Sequence, residues 1–182
     1  MEFARHEAPA VRLETAEVKM FKVGIGQDSH KFDSVTEGRH LILGGVVFEE
    51  APPLQGNSDA DVVLHAITNA VSGITGVNIL GKTSDEMCRN GVTDSKEYLK
   101  LALSYLQDYR ISHVSVTIEC KRPMIAPKIE KMKDSIAAVL GITRSDVGIT
   151  ASSGEGLTAF GRGEGVQAFS IVSAFLDKAD PA

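Results

Sequence analysis

The chain contains no tryptophan, and only 5% of its 182 residues are aromatic. Few side chains are therefore available for stacking bases, which disfavours a single-stranded nucleic acid as ligand. Positive charge is also short: 19 Lys and Arg stand against 24 Asp and Glu, for a net charge of −5. With no Lys/Arg stripe along the chain, no nucleic-acid partner is expected. A phosphorylated small molecule needs only a few local cations, amides or metals, so the acidic balance leaves that class open. Only two cysteines occur, Cys88 and Cys120, in no CxxC pair. That argues against a disulfide framework or a cysteine zinc cluster and makes a reducing cytoplasm the expected location. No apolar run approaches the roughly 20 residues that span a bilayer, so no membrane partner is expected. Met1 to Lys19 has no hydrophobic centre and carries Glu2, Glu7, Glu14 and Glu17, unlike a signal or transit peptide. It reads as a flexible, solvated extension, followed by one domain over 20–178 and a short tail over 179–182.

What is present alternates between two hydrophobic periods. Met20 to Gln27 reads as a strand, with Phe21, Val23 and Ile25 on one face at period two. Leu41 to Phe48 (LILGGVVF) is a short apolar run whose Gly-Gly suggests a turn or bulge. Ser58 and Asp59 are N-cap candidates for a helix over about Ala60 to Ser72, with Val62, Val63, Ala66, Ile67 and Ala70 as its apolar stripe. Gly73 to Asn90 reads as irregular. Asp94 caps a predicted helix reaching Tyr109, and Val114 to Ile118 alternates as a strand. A helix over about Pro127 to Leu140 is closed by Gly141. Val147 to Ser152 and the β-branched, Phe-containing Gly165 to Leu176 read as further strands. The order predicts an α/β (α+β) domain: a single mixed β-sheet with helices packed on one face.

Several groups could carry chemistry. Asp28 and His30 stand two apart at a strand end, so both side chains leave the same face. An oxygen and an imidazole nitrogen then converge without backbone distortion, a pairing that suits zinc. His65 lies mid-helix after the second apolar run; taken alone, such a histidine is more often an ordinary core or surface residue. Gly56 to Asp61 opens that helix, where free N–H groups and the helix dipole favour a phosphate, although a simple Ser/Asp cap is the plainer reading. Asp61 could instead orient the His65 imidazole from one turn away. Arg162, in Gly161-Arg162-Gly163-Glu164-Gly165, either takes an anion or pairs with Glu164. Glu155 sits on a small-residue loop beside Ser152 and Ser153. Gly24-Ile25-Gly26 lacks the third glycine and following helix of a dinucleotide fingerprint.

In this order the pieces resemble the 2-C-methyl-D-erythritol 2,4-cyclodiphosphate synthase family. The blocks that carry the resemblance are KVGIGQDSH, LILGGVVF with SDADVVLHAITNA, RPMIAP, and GEGLTAFGRGEGVQAF, together spanning about Lys22 to Leu176. The resemblance implies a catalytic domain that assembles as a homotrimer, with each pocket shared between neighbouring subunits. It implies zinc, one per subunit, on Asp28, His30 and His65, and Mg²⁺ or Mn²⁺ on Glu155. It further implies catalytic roles for Asn57, Ser58, Ser153 and Glu155. Contacts to a cytidine diphosphate substrate would come from Asp28, His30, Asn57, Ser58, Gly81, Cys120, Pro123, Met124, Ile125, Ala126, Ala151, Ser152, Ser153 and Arg162. The implied reaction joins the substrate's 2-phosphate to the β-phosphorus and expels CMP, in non-mevalonate isoprenoid precursor synthesis.

The chain departs from the family pattern at particular places. Asn57 stands where a histidine is usual, Met124 and Gly156 where lysines are usual. The Gly76 to Gly81 stretch lacks an aspartate before its final residues, and Thr83 to Cys88 lacks the Phe-Pro-Asp pattern. Losing one charge-assisted contact of about 1–3 kcal/mol would slow such a reaction roughly tenfold to a hundredfold without abolishing it. Two other functions fit the same residues: a zinc phosphohydrolase on a related diphosphate, and a divergent trimeric protein that binds CMP or an isoprenoid diphosphate with weak or altered activity.

Overall fold

A computed structural model describes residues 20–36 and 38–177. The extension over 1–19 and the tail over 179–182 lie outside the described residues. Four strands form the main sheet in the order β1-β6-β4-β5. These are β1 (Phe21–Lys31), β4 (Tyr109–Glu119), β5 (Val147–Ser152) and β6 (Gly165–Leu176). β6 runs antiparallel to both β1 and β4, while β4 and β5 are parallel. The sheet is thus mixed, as expected. β1, β4 and β5 all end at the same edge of the sheet, where β6 begins.

The Leu41 to Phe48 run is a hairpin, β2 (Leu41–Leu43) and β3 (Val46–Phe48), joined by Gly44-Gly45. Both glycines have positive φ, +59° and +73°, so the turn needs residues without a Cβ. Helices α1 (Val62–Thr75), α2 (Lys82–Arg89), α3 (Ser95–Leu103) and α4 (Ile129–Leu140) complete the domain. α2 lies inside the stretch expected to be irregular. Its eight residues, KTSDEMCR, have almost no apolar stripe, so periodicity could not reveal it. α3 is capped by Asp94 as expected but stops at Leu103; Tyr109 opens β4 instead.

The cap of α1 is Asp61, not Ser58 or Asp59. Its carboxylate accepts from Val63 N and Leu64 N, and also from Gly44 N and Gly45 N of the hairpin turn at 2.9 and 2.6 Å. One buried side chain therefore starts the helix and ties down the turn.

α1 is buried almost all round because β1 and β6 pack on one side of it and α3 on the other. Its approach to β1 is unusually close. A Cβ at Gly24 would lie 2.0 Å from the Ala70 carbonyl oxygen, and one at Gly26 would lie 2.0 Å from that of Ala66. The Gly-Ile-Gly of β1 thus seats a helix directly on the strand and brings the next turn of α1 to the strand end. Val23, Ile25 and Phe21 point the other way. With Phe169 and Ile171 of β6 they leave an exposed apolar patch on the uncovered face of the sheet; Phe21 is 74% and Ile25 69% exposed. Ile25 and Ile171 are directly paired across the strands.

Candidate metal centre

Asp28 and His30 lie at the end of β1, where alternation sends both to the α1 side of the edge. α1, lowered onto the strand by Gly24 and Gly26, brings His65 to meet them. Asp28 Oδ2 lies 2.8 Å from His65 Nδ1 and 3.2 Å from His30 Nε2. The ligating atoms of all three side chains fall within 4.8 Å of one another. A carboxylate and two imidazoles, partly buried and converging on one point, form a donor set suited to zinc. Burial alone pushes the Asp28 carboxyl up, but hydrogen bonds and charge from His30 and His65 outweigh it and hold it below the usual carboxylate range. The same Asp28 contact raises His30 against the opposing effect of burial.

Behind the cluster, His65 Nε2 meets Ser95 Oγ at 2.8 Å, and Ser95 Oγ is hydrogen-bonded to Asp59 Oδ1. Asp61 does not orient the imidazole. It is wholly buried and occupied by the hairpin and the helix cap, and its link to His65 is the backbone bond from His65 N to Asp61 O. Burial and the neighbouring Asp59 charge push the Asp61 carboxyl up to about 6, against the pull of the N–H groups of Gly45, Leu64 and Gly44.

The cluster opens into a cleft of about 320 Å³ lined by Asp28, His30, His65, Gly56, Asn57, Ser58, Asn69, Leu80, Gly81, Ser84, Asp85, Cys88 and Tyr98. The structure thus gathers Asp28, His30, His65, Asn57, Ser58 and Gly81 in one place. Cys88 Sγ donates to the Asn57 carbonyl at 3.0 Å and fastens α2 to the loop that carries Asn57 and Ser58. Ser95, Asn69, Ser84, Asp85, Cys88 and Tyr98 escaped the sequence reading. Asn69 was the most accessible of them, since it follows His65 by one helical turn. Ser95 was hidden behind its role in a helix start.

The other expected site residues stand apart from this cleft, at the ends of β4 and β5. Cys120 follows β4, and its N–H donates to the Ser152 carbonyl at 3.1 Å. Pro123, Met124, Ile125 and Ala126 follow in a loop entered by a cis Arg122-Pro123 bond; the Met124 side chain is exposed and Ile125 is buried. Ala151 and Ser152 end β5, Ser153 Oγ donates to Glu155 Oε1 at 3.2 Å, and Glu155 has a φ of +48°. Arg162 is paired with Glu164 at 2.9 Å, both about half exposed. In the sheet register Ser29, Gln167, Glu119 and Ser152 form one row. Three strand spacings of about 4.8 Å put the two groups roughly 14 Å apart on one edge.

The chain is similar to known proteins in both sequence and fold. The family model described as the YgbB family matches residues 21–174. A 2-C-methyl-D-erythritol 2,4-cyclodiphosphate synthase of Chlamydia caviae is 49% identical over 156 residues, 85% of this chain and 89% of that one. A solved 2C-methyl-D-erythritol-2,4-cyclodiphosphate synthase in a CDP-bound form superposes with a TM-score of 0.72 at 26% identity, over 84% of this chain and 99% of its own. The bifunctional IspDF of Campylobacter jejuni superposes with a TM-score of 0.77 at 25% identity, over 87% of this chain and 43% of its own. The chain belongs to the YgbB family, the family of the 2-C-methyl-D-erythritol 2,4-cyclodiphosphate synthases.

Proposed function

We propose that this protein is a 2-C-methyl-D-erythritol 2,4-cyclodiphosphate synthase, a cyclising lyase that converts 4-diphosphocytidyl-2-C-methyl-D-erythritol 2-phosphate to the 2,4-cyclodiphosphate and CMP. The observation that carries the reading is the convergence of Asp28, His30 and His65 at the base of a cleft. A 2-phosphate oxygen forms a bond to the β-phosphorus, the bond from that phosphorus to the bridging oxygen breaks, and CMP departs with the electron pair. The attacking phosphate has a second pKa of about 6 and is already largely ionised at neutral pH, so no strong base is required. Catalysis then rests on position and charge neutralisation.

Asp28, His30 and His65 would hold zinc, which when bound polarises the β-phosphate. Glu155, beside Ser153, would hold Mg²⁺ or Mn²⁺ at the diphosphate. Asn57 and Ser58 face the cleft and offer neutral hydrogen bonds to the erythritol phosphate. Pro123, Met124, Ile125 and Ala126, with Ala151, Ser152 and Ser153, would take the cytidine. Backbone N–H and C=O groups of that loop can read the base, so the methionine at 124 costs affinity more than selectivity.

The two half-sites lie at separate places on one subunit's edge. A homotrimer that sets the cleft of one copy against the nucleotide loop of the next would unite them. The exposed Phe21, Val23, Ile25, Phe169 and Ile171 patch supplies an apolar face for that packing. No helix among the described residues is long and apolar enough to cross a membrane; the proposed location is the cytoplasm. Incubating the purified chain with the cytidine substrate and Mg²⁺ tests the reading by phosphorus NMR. Cyclic diphosphate and CMP should appear together; linear phosphate products in their place would assign a hydrolase.

A further inference from the structure

We propose that Ser95 and Asp59 are positioning residues that decide which nitrogen of His65 is free to bind the metal. The inference rests on the reading of Asp28, His30 and His65 as metal ligands. His65 Nδ1 faces Asp28 Oδ2 at 2.8 Å, on the cleft side, while Nε2 faces Ser95 Oγ at 2.8 Å on the inner side. Ser95 is wholly buried, and its hydroxyl is hydrogen-bonded in turn to Asp59 Oδ1. The remaining Asp59 oxygen accepts from Ser95 N at 3.1 Å. Asp59 is fixed from its own side: its N–H donates to the Thr93 carbonyl at 3.0 Å, and Oδ1 also accepts from Asp61 N at 3.2 Å.

From the Asp59 end this chain of contacts runs one way. An ionised carboxylate accepts and cannot donate, so the Ser95 hydroxyl proton points to Asp59. The hydroxyl oxygen is then left to accept from His65, and Nε2 carries the imidazole proton. Nδ1, the nitrogen that faces Asp28 Oδ2, is then the one that a metal held there would take in place of that hydrogen bond. Histidine ligands are commonly oriented by a carboxylate on the far nitrogen; here a serine stands between the two and transmits the same sense. Three separate elements contribute: α1 supplies His65, the first residue of α3 supplies Ser95, and the loop before α1 supplies Asp59.

The polarity predicts an order of effects that packing does not. In Asp59→Asn the shape is kept, but the amide can donate to Ser95 Oγ. The serine proton then turns to Nε2, and the imidazole proton moves to Nδ1, where it blocks the ligand. In Ser95→Ala and Asp59→Ala the direction is merely lost. Zinc binding should therefore weaken about 10–100-fold in Asp59→Asn, and less in the two alanine variants. The measurement is competition with a chromogenic chelator on the full chain, alongside the melting temperature of each metal-free variant. Nitrogen-15 NMR of the zinc-loaded parent adds a readout that needs no variant to fold, and should place the His65 proton on Nε2. Asp59→Asn binding as tightly as the parent, losses that follow melting temperature alone, or a parent proton on Nδ1 would overturn the relay. A parent that takes up no zinc overturns the metal reading and this inference with it, a separate result from a zinc-binding parent whose variants bind equally well.

Discussion

His65 shows how much a single side chain depends on its neighbours. By itself in the sequence it is an unremarkable helical histidine; in the fold it joins Asp28 on one side and Ser95 on the other. His65→Ala should abolish stoichiometric zinc while keeping the fold, which metal analysis and circular dichroism will check together. Unchanged zinc content would remove His65 from the site. Asp61 is the residue whose loss should cost most stability. Asp61→Ala removes a helix cap worth about 1–2 kcal/mol and strands the Gly44 and Gly45 N–H groups, each costing roughly 1–3 kcal/mol where burial is complete. Gly44 is buried and Gly45 only partly so; the cap and the Gly44 N–H together give an expected loss of roughly 2–5 kcal/mol in urea unfolding. The two cysteines should differ in chemistry. Burial, helped by the Glu119 charge, pushes the Cys120 thiol up to about 11. At pH 8 only about one Cys120 in a thousand would then be thiolate, and iodoacetamide should spare it until the pH approaches that value or the chain unfolds. The half-exposed Cys88, on the cleft wall, should be alkylated first; mass spectrometry of the labelled peptides distinguishes the two.

At the scale of elements, most of the sheet was legible in the sequence because its strands alternate. The ends were not. β1 continues four residues beyond Gln27 because pairing with Gly165 to Ala168 carries it on, and those added residues include both Asp28 and His30. β4 begins at Tyr109 rather than Val114 for the same reason: its partner β6 is long. α2 was missed since it is held by its Ser84–Gly81 capping bonds and by Cys88, none of which leaves a periodic trace. The Gly-Ile-Gly of β1 offered a signal that pointed to close backbone approach, but the sequence could not say that the approaching element was α1. Gly24→Ala tests that role: its Cβ would meet the Ala70 carbonyl, forcing α1 away from β1. We expect about 1–3 kcal/mol of destabilisation and weaker zinc binding, because the same shift withdraws His65 from Asp28. A variant of native stability and affinity would mean the helix does not position the site.

For the whole molecule, the sheet face opposite the helices is the part that one chain leaves unfinished. Its apolar side chains are confined to β1 and β6, while Ser115 and Thr117 of β4 continue the same face with polar groups. The expected assembly buries the apolar portion around a threefold axis. Ile25→Glu with Ile171→Glu should therefore give monomers in sedimentation equilibrium, retaining zinc but losing turnover as the half-sites separate. Monomers with full activity would show that one copy suffices. The candidate metal ligands could be narrowed from the sequence; that the Pro123 to Ala126 loop stands some way along the sheet edge from them could not, because it depends on strand order.

With the Asp28, His30 and His65 cluster as the proposed metal centre of a cyclising, CMP-releasing enzyme, turnover should depend on zinc held there. That dependence is tested most directly by stripping the chain with a chelator and following the cytidine substrate by phosphorus NMR, with Mg²⁺ present, as zinc is titrated back. No cyclic diphosphate is expected from the stripped protein, with recovery that saturates at one zinc per chain and no recovery in His65→Ala. Cyclic product forming at the full rate without zinc, or recovering equally in His65→Ala, would contradict that dependence.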